Sequence, residues 1–507
     1  MPDEARATAG IPRPAAVVPV ALTSLVHRAG PGARLVASDV AVAGVTMSSG
    51  QVRPGDLFAA APGHVVHGAR YAQQALAAGA IAVLTDADGA SVLPAGVPAV
   101  VVPDVRAAVG PVASAVYGDP SGDLDVLGVT GTSGKTTTTY FLRAGLRAAG
   151  RVSGLVGTVA TLIGDECVKT GFTTPEAPEL QALLAVMRER GATNVAMEVS
   201  SHALAMRRVG GIEFAVGAFT NLSEDHLDFH ADMEDYFRAK ALLFDATTSP
   251  VIVIDDAWGR RMAGLVGRGT TVSTGGAEAT WRATDIAERP DGSTRFTVHG
   301  PDGARDAGCA VPGRYNVANA LLALAMLHEN GVPVDVAAPA IATATVPGRM
   351  ERIDAGQPFL AVVDYSHKPA AVQGALAALR PLTSGRLIVV LGCGGDRDRA
   401  KRPVMGRIAA RDADLLIVTD DNPRSEDPAA IRRAMLDGAQ AVPAGQRGEV
   451  REVGDRAEAI RAAVAAAAPG DTVLVAGKGH EPGQEVAGVV HPFDDRLVLR
   501  ATLEGRA

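Results

Sequence analysis

Residues 126–140, reading VLGVTGTSGKTTTTY, constrain this chain more than any other stretch. An apolar run suited to a buried strand ends in Gly131-Thr132-Ser133-Gly134-Lys135-Thr136-Thr137, and a helix-compatible segment follows at once. Gly131 and Gly134 allow a tight turn that brings successive backbone N–H groups to phosphate oxygens, and the helix opening near Lys135 adds the positive end of its dipole. Lys135 supplies a point charge for the terminal phosphates of a nucleotide, and the Thr136 hydroxyl is placed to hold a magnesium ion. The full P-loop pattern asks for a glycine five residues before Gly134, where Val129 stands, so a shorter GxxGKT core remains. A bare strand-to-helix turn is the competing explanation. The register of Gly, Lys and Thr between a strand and a helix weighs against it.

The rest of the chain repeats that alternation. At 507 residues it exceeds one ordinary core, and a norm of about 100–200 residues per domain points to roughly three. A hydrophobic fraction of 47% with 21% charged residues is a globular balance. The formal charge of −8 argues against a general nucleic-acid or membrane-surface binder, so an anionic ligand must be met by local basic groups. Cys167, Cys309 and Cys393 lie far apart without a CxxC, which indicates free thiols in a reducing cytosol. No apolar run approaches the roughly 18 residues of a membrane span. Residues 1–20 read as a loose tail and not as a signal peptide.

Residues 21–118 read as a small α/β unit, with strands expected at 40–45, 56–60, 81–85 and 99–102 and helices at 68–78 and 104–117, the latter capped by Asp104. Turn-forming residues 118–122 then serve as a linker. From 119 to 348, strands at 152–159, 195–199, 215–220 and 251–254 and helices at 176–190, 233–244 and 315–329 imply a mainly parallel sheet covered on both faces, with an antiparallel excursion at 270–312. From 349 to 507, strands at 360–364, 387–391, 415–419 and 472–476 alternate with helices at 370–379, 402–411, 428–437 and 456–467. That is a doubly wound, Rossmann-like domain whose ligands belong at the carboxyl ends of its strands.

Polar clusters stand at those strand ends. Glu198, in MEVSSH, offers a carboxylate for the magnesium of a nucleotide, against the alternative of a charge turned to solvent. His226 and His230, in NLSEDHLDFH, are four apart and open a metallohydrolase reading, but HExxH is absent and a magnesium role beside the phosphate loop is more economical. Lys240, in YFRAKALLF, reads on its own as an ordinary helix lysine. In the last domain GCGGDR (392–397), DDNPR (420–424) and GKGHE (477–481) follow three strands. Arginines that clamp a carboxylate bidentately, beside acids and amides that receive an ammonium, suit a zwitterionic ligand. Turn glycines with solvated charges are the bland alternative.

The motifs GTSGKTT, MEVSSH, TNLSEDHLDFH, YFRAKALLF, GRYNVANALLALA, PGRMER, DYSHKP, GCGGDRDRAKRP, TDDNPR and AGKGHE, in this order, resemble the Mur ligases over residues 40–500. They resemble most the members that add the third residue to UDP-N-acetylmuramoyl-L-alanyl-D-glutamate in bacterial cell-wall synthesis. The resemblance implies a cytoplasmic, monomeric, ATP-dependent amide ligase working through an acyl phosphate. It further implies that Thr136 and Glu198 hold one magnesium while His226 and Lys240, the latter carbamylated (N6-carboxylated), organise a second. Lys135, Glu198, His226 and Lys240 become the catalytic set, and Gly131 to Thr137 with Asn316, Arg349 and Asp364 the ATP site. Met47, Ser49, His64, Thr173, Thr174, Ser200, Met206 and Arg208 become contacts of the UDP-muramoyl-dipeptide. The usual Asp-Ser-Arg of that site stands here as Ser48-Ser49-Gly50, His67 replaces an aspartate and Met206 a glutamine.

Members of the family that take meso-diaminopimelate carry DNPR where this chain has Asp421, Asn422, Pro423 and Arg424. The resemblance adds Arg397, Gly477 and Glu481 to that site. Lysine lacks one carboxylate of diaminopimelate, and a buried arginine–carboxylate pair left half-made costs roughly 2–5 kcal/mol, about thirty- to several-thousand-fold. A lysine-adding or other Mur ligase, a folylpolyglutamate synthetase and an inactive nucleotide-binding scaffold are the alternatives. The first domain and DNPR speak against the synthetase, and intact Lys135, Glu198, His226 and Lys240 against the scaffold.

Overall fold

The strand Asp125–Thr130, five of whose six residues are buried, lies in the middle of the largest sheet. The computed structural model describes residues 11–63, 65–289 and 291–505. Asn194–Glu198 and Phe214–Phe219 flank the strand in parallel, and Ser153–Val156, Thr247–Val253 and Thr270–Ser273 extend the parallel array. Strands buried on both faces read as largely apolar runs, which is why Asp125–Thr130, Asn194–Glu198 and Phe214–Phe219 are visible in the sequence. The helix Lys135–Ala148 leaves the central strand and presents Phe141, Leu142 and Leu146, all 0% exposed. Each such burial contributes about 1.5–3 kcal/mol relative to exposure.

The segment at 270–312 differs in part from expectation. Thr270–Ser273 pairs in parallel with Thr247–Val253, and Trp281–Glu288 continues in parallel beside it. Thr294–Gly300 and Gly303–Cys309 then follow one another at the sheet edge, with Gly292 in a left-handed turn at φ 83°. At the other edge a hairpin of Thr161–Ile163 and Glu166–Val168 was not foreseen.

A five-stranded sheet places Asp56–Ala60 between Gly44–Thr46 and Ala82–Thr85, all parallel, and Asp104 caps the helix Val105–Val116 by accepting from Ala107 N at 3.1 Å. A six-stranded sheet runs Glu351–Arg352, Leu360–Asp364, Thr472–Ala476, Leu387–Leu391, Leu415–Val418 and Glu449–Glu452, parallel except at its first edge. The fold is α/β throughout. By contact density the chain forms two compact units. One comprises residues up to Arg282 with His299–Arg305 and Ala318–Ala340, the other Ala283–Val298, Asp306–Val317 and the residues from Ile341 onward. Among the described residues no helix is long and apolar enough to cross a membrane.

Candidate functional site

The turn after Asp125–Thr130 is held in shape by its neighbours. Gly131 (φ 145°) and Gly134 (φ 90°) both occupy backbone conformations that disfavour a side chain. A Cβ at Gly131 would also stand 1.8 Å from Thr220 Oγ1. Segment 220–223 closes over the loop from the next strand: Thr220 Oγ1 donates to Ser133 O at 2.7 Å, Ser133 N to Asn221 Oδ1 at 3.0 Å, and Thr132 N to Asn221 O at 3.0 Å. Lys135 arches back over the turn, with Nζ 2.9 Å from Gly131 O and 3.0 Å from Thr132 O. Thr137 is buried on the same helix.

Glu198, at the end of the adjacent strand, is 1% exposed. Its Oε1 accepts from Thr136 Oγ1 at 2.9 Å and from Thr158 N at 2.8 Å, and its Oε2 accepts from Thr158 Oγ1 at 3.1 Å. A carboxylate and a hydroxyl in contact are hard oxygen donors of the kind magnesium takes. Around them stand part of the residues expected on the dipeptide side. Thr173 Oγ1 is 3.1 Å from Thr158 Oγ1, and Thr174 Oγ1 donates to Glu198 O at 2.9 Å. Ser200 caps the helix Ser201–Ala205. Arg208 reaches Thr174 O at 3.3 Å, pairs with Glu176 at 2.9 Å and lies 3.6 Å from Met206 Sδ, its guanidinium 4.3 Å from the Phe172 ring centre.

Lys240, 1% exposed, donates to Gly131 O at 2.9 Å and lies 4.3 Å from the Tyr236 ring centre. Its place on the phosphate turn departs from the ordinary solvent-facing helix lysine. The Tyr236 hydroxyl is 3.2 Å from Thr132 Oγ1, and burial raises its pKa. His226 and His230 do not share a helix: residues 221–232 form a looped turn with His226 at φ 54°, and the helix starts at Met233 behind the Asp232 cap. His230 is buried and bonded on both ring nitrogens, to Asp235 Oδ2 at 3.1 Å and Ser201 Oγ at 3.0 Å. It is a structural histidine, and the metallohydrolase pairing falls with it. His226 instead meets the His202 ring edge-on at 4.8 Å. Burial and the nearby His230 depress the His202 pKa. Among the described residues no group of three or more His, Cys, Asp or Glu is arranged to hold a metal ion.

The second cluster gathers at the strand ends of the six-stranded sheet. Asn422 Nδ2 donates to Glu481 Oε2 at 2.8 Å, and Gly395 N to Asn422 O at 2.8 Å. Arg424, at φ 52°, donates from Nη1 to Gly395 O at 2.7 Å and pairs with Glu485 at 3.3 Å. Pro423 O accepts from Glu426 N at 3.0 Å. Asp421 is 7% exposed, Arg397 is exposed, and Gly477 N donates to Asp364 O at 3.1 Å. Beneath them Arg456 and Asp495, both 0% exposed, form a bidentate pair at 2.7 Å and 2.7 Å, and Arg456 also donates to Asp420 O and Ala476 O. Asp364 accepts from Met350 N at 2.7 Å and from Ser366, and the Arg349 guanidinium lies 4.3 Å from the Tyr365 ring centre. Burial first, and then Glu481, push the Tyr365 pKa up to about 12.

Three further expected residues stand on other elements. Met47 packs against the core of the five-stranded sheet, Ser49 Oγ meets Gln74 Oε1 at 3.3 Å, and Asn316 donates to Pro312 O at 2.6 Å. His64 lies outside the described residues. Sequence reasoning missed Thr158, the Thr220–Asn221 clamp, Lys478 and the Arg456–Asp495 pair. Lys478 stood inside a quoted motif, but nothing in the motif says that it is buried.

Comparison with known proteins bears on the same residues. Family models described as Mur ligase family, catalytic domain, Mur ligase middle domain, and Mur ligase, glutamate ligase domain match residues 41–117, 129–327 and 348–479. The chain is 53% identical over 502 residues to a Streptomyces avermitilis protein named UDP-N-acetylmuramoyl-L-alanyl-D-glutamate--2,6-diaminopimelate ligase, with 98% of each chain covered. It is 55% identical over 467 residues to a protein of the same name from Corynebacterium efficiens, covering 90% of this chain and 89% of that one. A solved structure of a ligase of that name aligns with TM-score 0.69 and 31% identity over 92% of this chain and 95% of the other.

Proposed function

This chain belongs to the Mur ligase family, and from that premise we propose that it joins meso-diaminopimelate to UDP-N-acetylmuramoyl-L-alanyl-D-glutamate at the expense of ATP. The observation that carries the choice of amino acid is the 421–424 loop, where Asn422 is bonded to Glu481 and Arg424 is anchored to Gly395. Relatives at 53% and 55% identity named for the same addition support it. In this reading residues 21–118 bind the uridine nucleotide, 119–348 the ATP and 349–507 the incoming amino acid. The product is a peptidoglycan precursor.

The phosphate turn from Gly131 to Thr137 with Lys135 takes the ATP phosphates, Asn316 takes the adenine, and Arg349 and Asp364 contact phosphate and ribose. The D-glutamyl carboxylate attacks the γ-phosphorus, ADP leaves, and an acyl phosphate forms. An amino group of diaminopimelate attacks the acyl carbon, loses a proton, and inorganic phosphate departs with its bonding electrons. Positioning and charge neutralisation do most of the work in such phosphoryl transfers. Thr136 and Glu198 fit a magnesium ion, which when bound supplies charge neutralisation at the phosphates. Lys240 as an ammonium is no metal ligand, and it joins His226 in that role only after conversion to a carbamate. Thr173, Thr174, Ser200, Met206 and Arg208 hold the dipeptide end, and Met47, Ser49 and His64 the nucleotide end. Arg424 and Arg397 clamp the distal carboxylate of diaminopimelate, with Asp421, Asn422, Pro423, Gly477 and Glu481 around its ammonium.

Phosphate release with ATP, magnesium and UDP-muramoyl-dipeptide tests the reading. Release with meso-diaminopimelate, and release with lysine that is less efficient by a factor of at least about thirty, is expected. No release with either amino acid refutes the ligase, and a preference for lysine refutes the role given to 421–424.

A further inference from the structure

Lys478 has no access to solvent, at 0% exposure, and the proposed chemistry leaves it without a task. Its ammonium donates to Asn422 Oδ1 at 2.9 Å and to Glu481 Oε2 at 3.3 Å. Asn422 Nδ2 donates to that same Oε2 at 2.8 Å, and Glu485 N donates to Asn422 Oδ1 at 2.9 Å. The ring Lys478–Asn422–Glu481 is therefore closed by charge as well as by shape.

An asparagine amide is nearly symmetric in outline, and only its partners decide which end is the donor. Were Asn422 flipped, its NH2 would face the Lys478 ammonium and the Glu485 N–H, and its oxygen would face the Glu481 carboxylate. Each contact would be repulsive, so the buried cation selects one orientation. The same cation holds Glu481 from the protein side, while the Glu481 side chain keeps 31% exposure on the other. A fully buried ammonium is tolerated only when paired and hydrogen-bonded, and Glu481 and Asn422 supply both here.

We propose that Lys478 is a positioning residue of the amino-acid site: its buried charge sets the amide of Asn422 and anchors Glu481, and so presents both to the incoming diaminopimelate. This rests on the function proposed above. Lys478 acts through Asn422 and Glu481 and does not itself touch the substrate.

Steady-state phosphate release by the full chain tests it with Lys478→Gln, Lys478→Arg, Glu481→Gln and the double variant Lys478→Gln/Glu481→Gln. Lys478→Gln is expected to raise KM for diaminopimelate about ten- to a hundredfold, with kcat within about threefold of the parent and KM for ATP and for the UDP-muramoyl-dipeptide unchanged. Lys478→Arg, which keeps the charge, is expected to recover part of the loss. Because part of the action of Lys478 passes through Glu481, the double variant is expected to lose less than the product of the two single losses. An unchanged KM for diaminopimelate in Lys478→Gln, an equal rise in all three KM values, or a multiplied loss in the double variant overturns the proposal. If Lys478→Gln does not fold, Lys478→Arg is read in its place: a KM rise confined to diaminopimelate supports the proposal, and no rise or an equal rise in all three KM values overturns it. A parent chain inactive with diaminopimelate refutes the functional reading and this inference together, whereas an active parent with an indifferent Lys478→Gln refutes the inference alone.

Discussion

Lys240 concentrates the chemistry of the proposed site in one side chain. Burial of an ammonium beside the carbonyl of Gly131 and the face of Tyr236 is stabilised by a charge-assisted hydrogen bond and a cation–π contact. Conversion to a carbamate begins with loss of one proton from the ammonium; the free amine then forms an N–C bond to carbon dioxide and releases a second proton, which turns the donor into a carboxylate-like acceptor. The predicted consequence is that Lys240→Ala loses about two to three orders of magnitude in kcat, the size of effect typical of a lost charge-stabilising group. Added formate or acetate is expected to restore part of that activity by supplying the missing carboxylate. Full activity in Lys240→Ala, measured by phosphate release, would refute the carbamate role.

At the scale of elements, the phosphate turn owes its shape to the segment that follows the neighbouring strand. Asn221 binds the turn through its side-chain oxygen, its side-chain nitrogen and its backbone carbonyl. Asn221→Ala removes the two side-chain bonds and leaves the carbonyl bond. At about 0.5–1.5 kcal/mol per bond, KM for ATP is expected to rise roughly five- to a hundredfold, with KM for diaminopimelate unmoved; a shift confined to diaminopimelate would contradict the assignment of this loop to ATP. The turn itself was legible in the sequence, because its glycines, lysine and threonine fall within the single short run from Gly131 to Thr136. Asn221 was legible as part of a strand-end cluster, but its bond to Ser133 spans 88 positions and leaves no local signature. The same division holds across the fold. Asp56–Ala60, Leu360–Asp364, Leu387–Leu391 and Thr472–Ala476 match their expected limits because continuous apolar runs stop at turn residues. Glu449–Glu452 did not stand out, since an edge strand reading EVRE is exposed and carries no apolar pattern. The helix Met233–Ala241 was foreseen as a longer one, and its last turns tighten into the 3-10 segment Leu242–Ala246. In the site, local clusters were readable and the groups that orient them from a distance, Thr158 on Glu198 and Lys478 on Asn422, were not.

For the whole molecule, the two compact units each bury a core of their own. Sheet strands such as Val126 and Val195 line one, and Ile388, Val390, Ile417 and Val475 line the other. The second also contains the Arg456–Asp495 pair, fully removed from solvent. Burial opposes the guanidinium charge, yet Asp495 raises the Arg456 pKa above its ordinary value. Replacing Arg456 by Met strands the Asp495 carboxylate, at a cost of about 3–5 kcal/mol, whereas removing both charges with apolar residues costs far less. Both tryptophans, Trp258 and Trp281, belong to the first unit, so their fluorescence reports that unit while far-UV circular dichroism reports both. Arg456→Met is therefore expected to lower part of the dichroism-detected melting transition by roughly 5–20 °C and to leave the tryptophan transition in place. Arg456→Met/Asp495→Leu is expected to recover most of the loss. If the fluorescence transition falls together with the dichroism in Arg456→Met, the two units unfold as one cooperative body, and stability effects measured at the amino-acid site must then be corrected for in the ATP site as well.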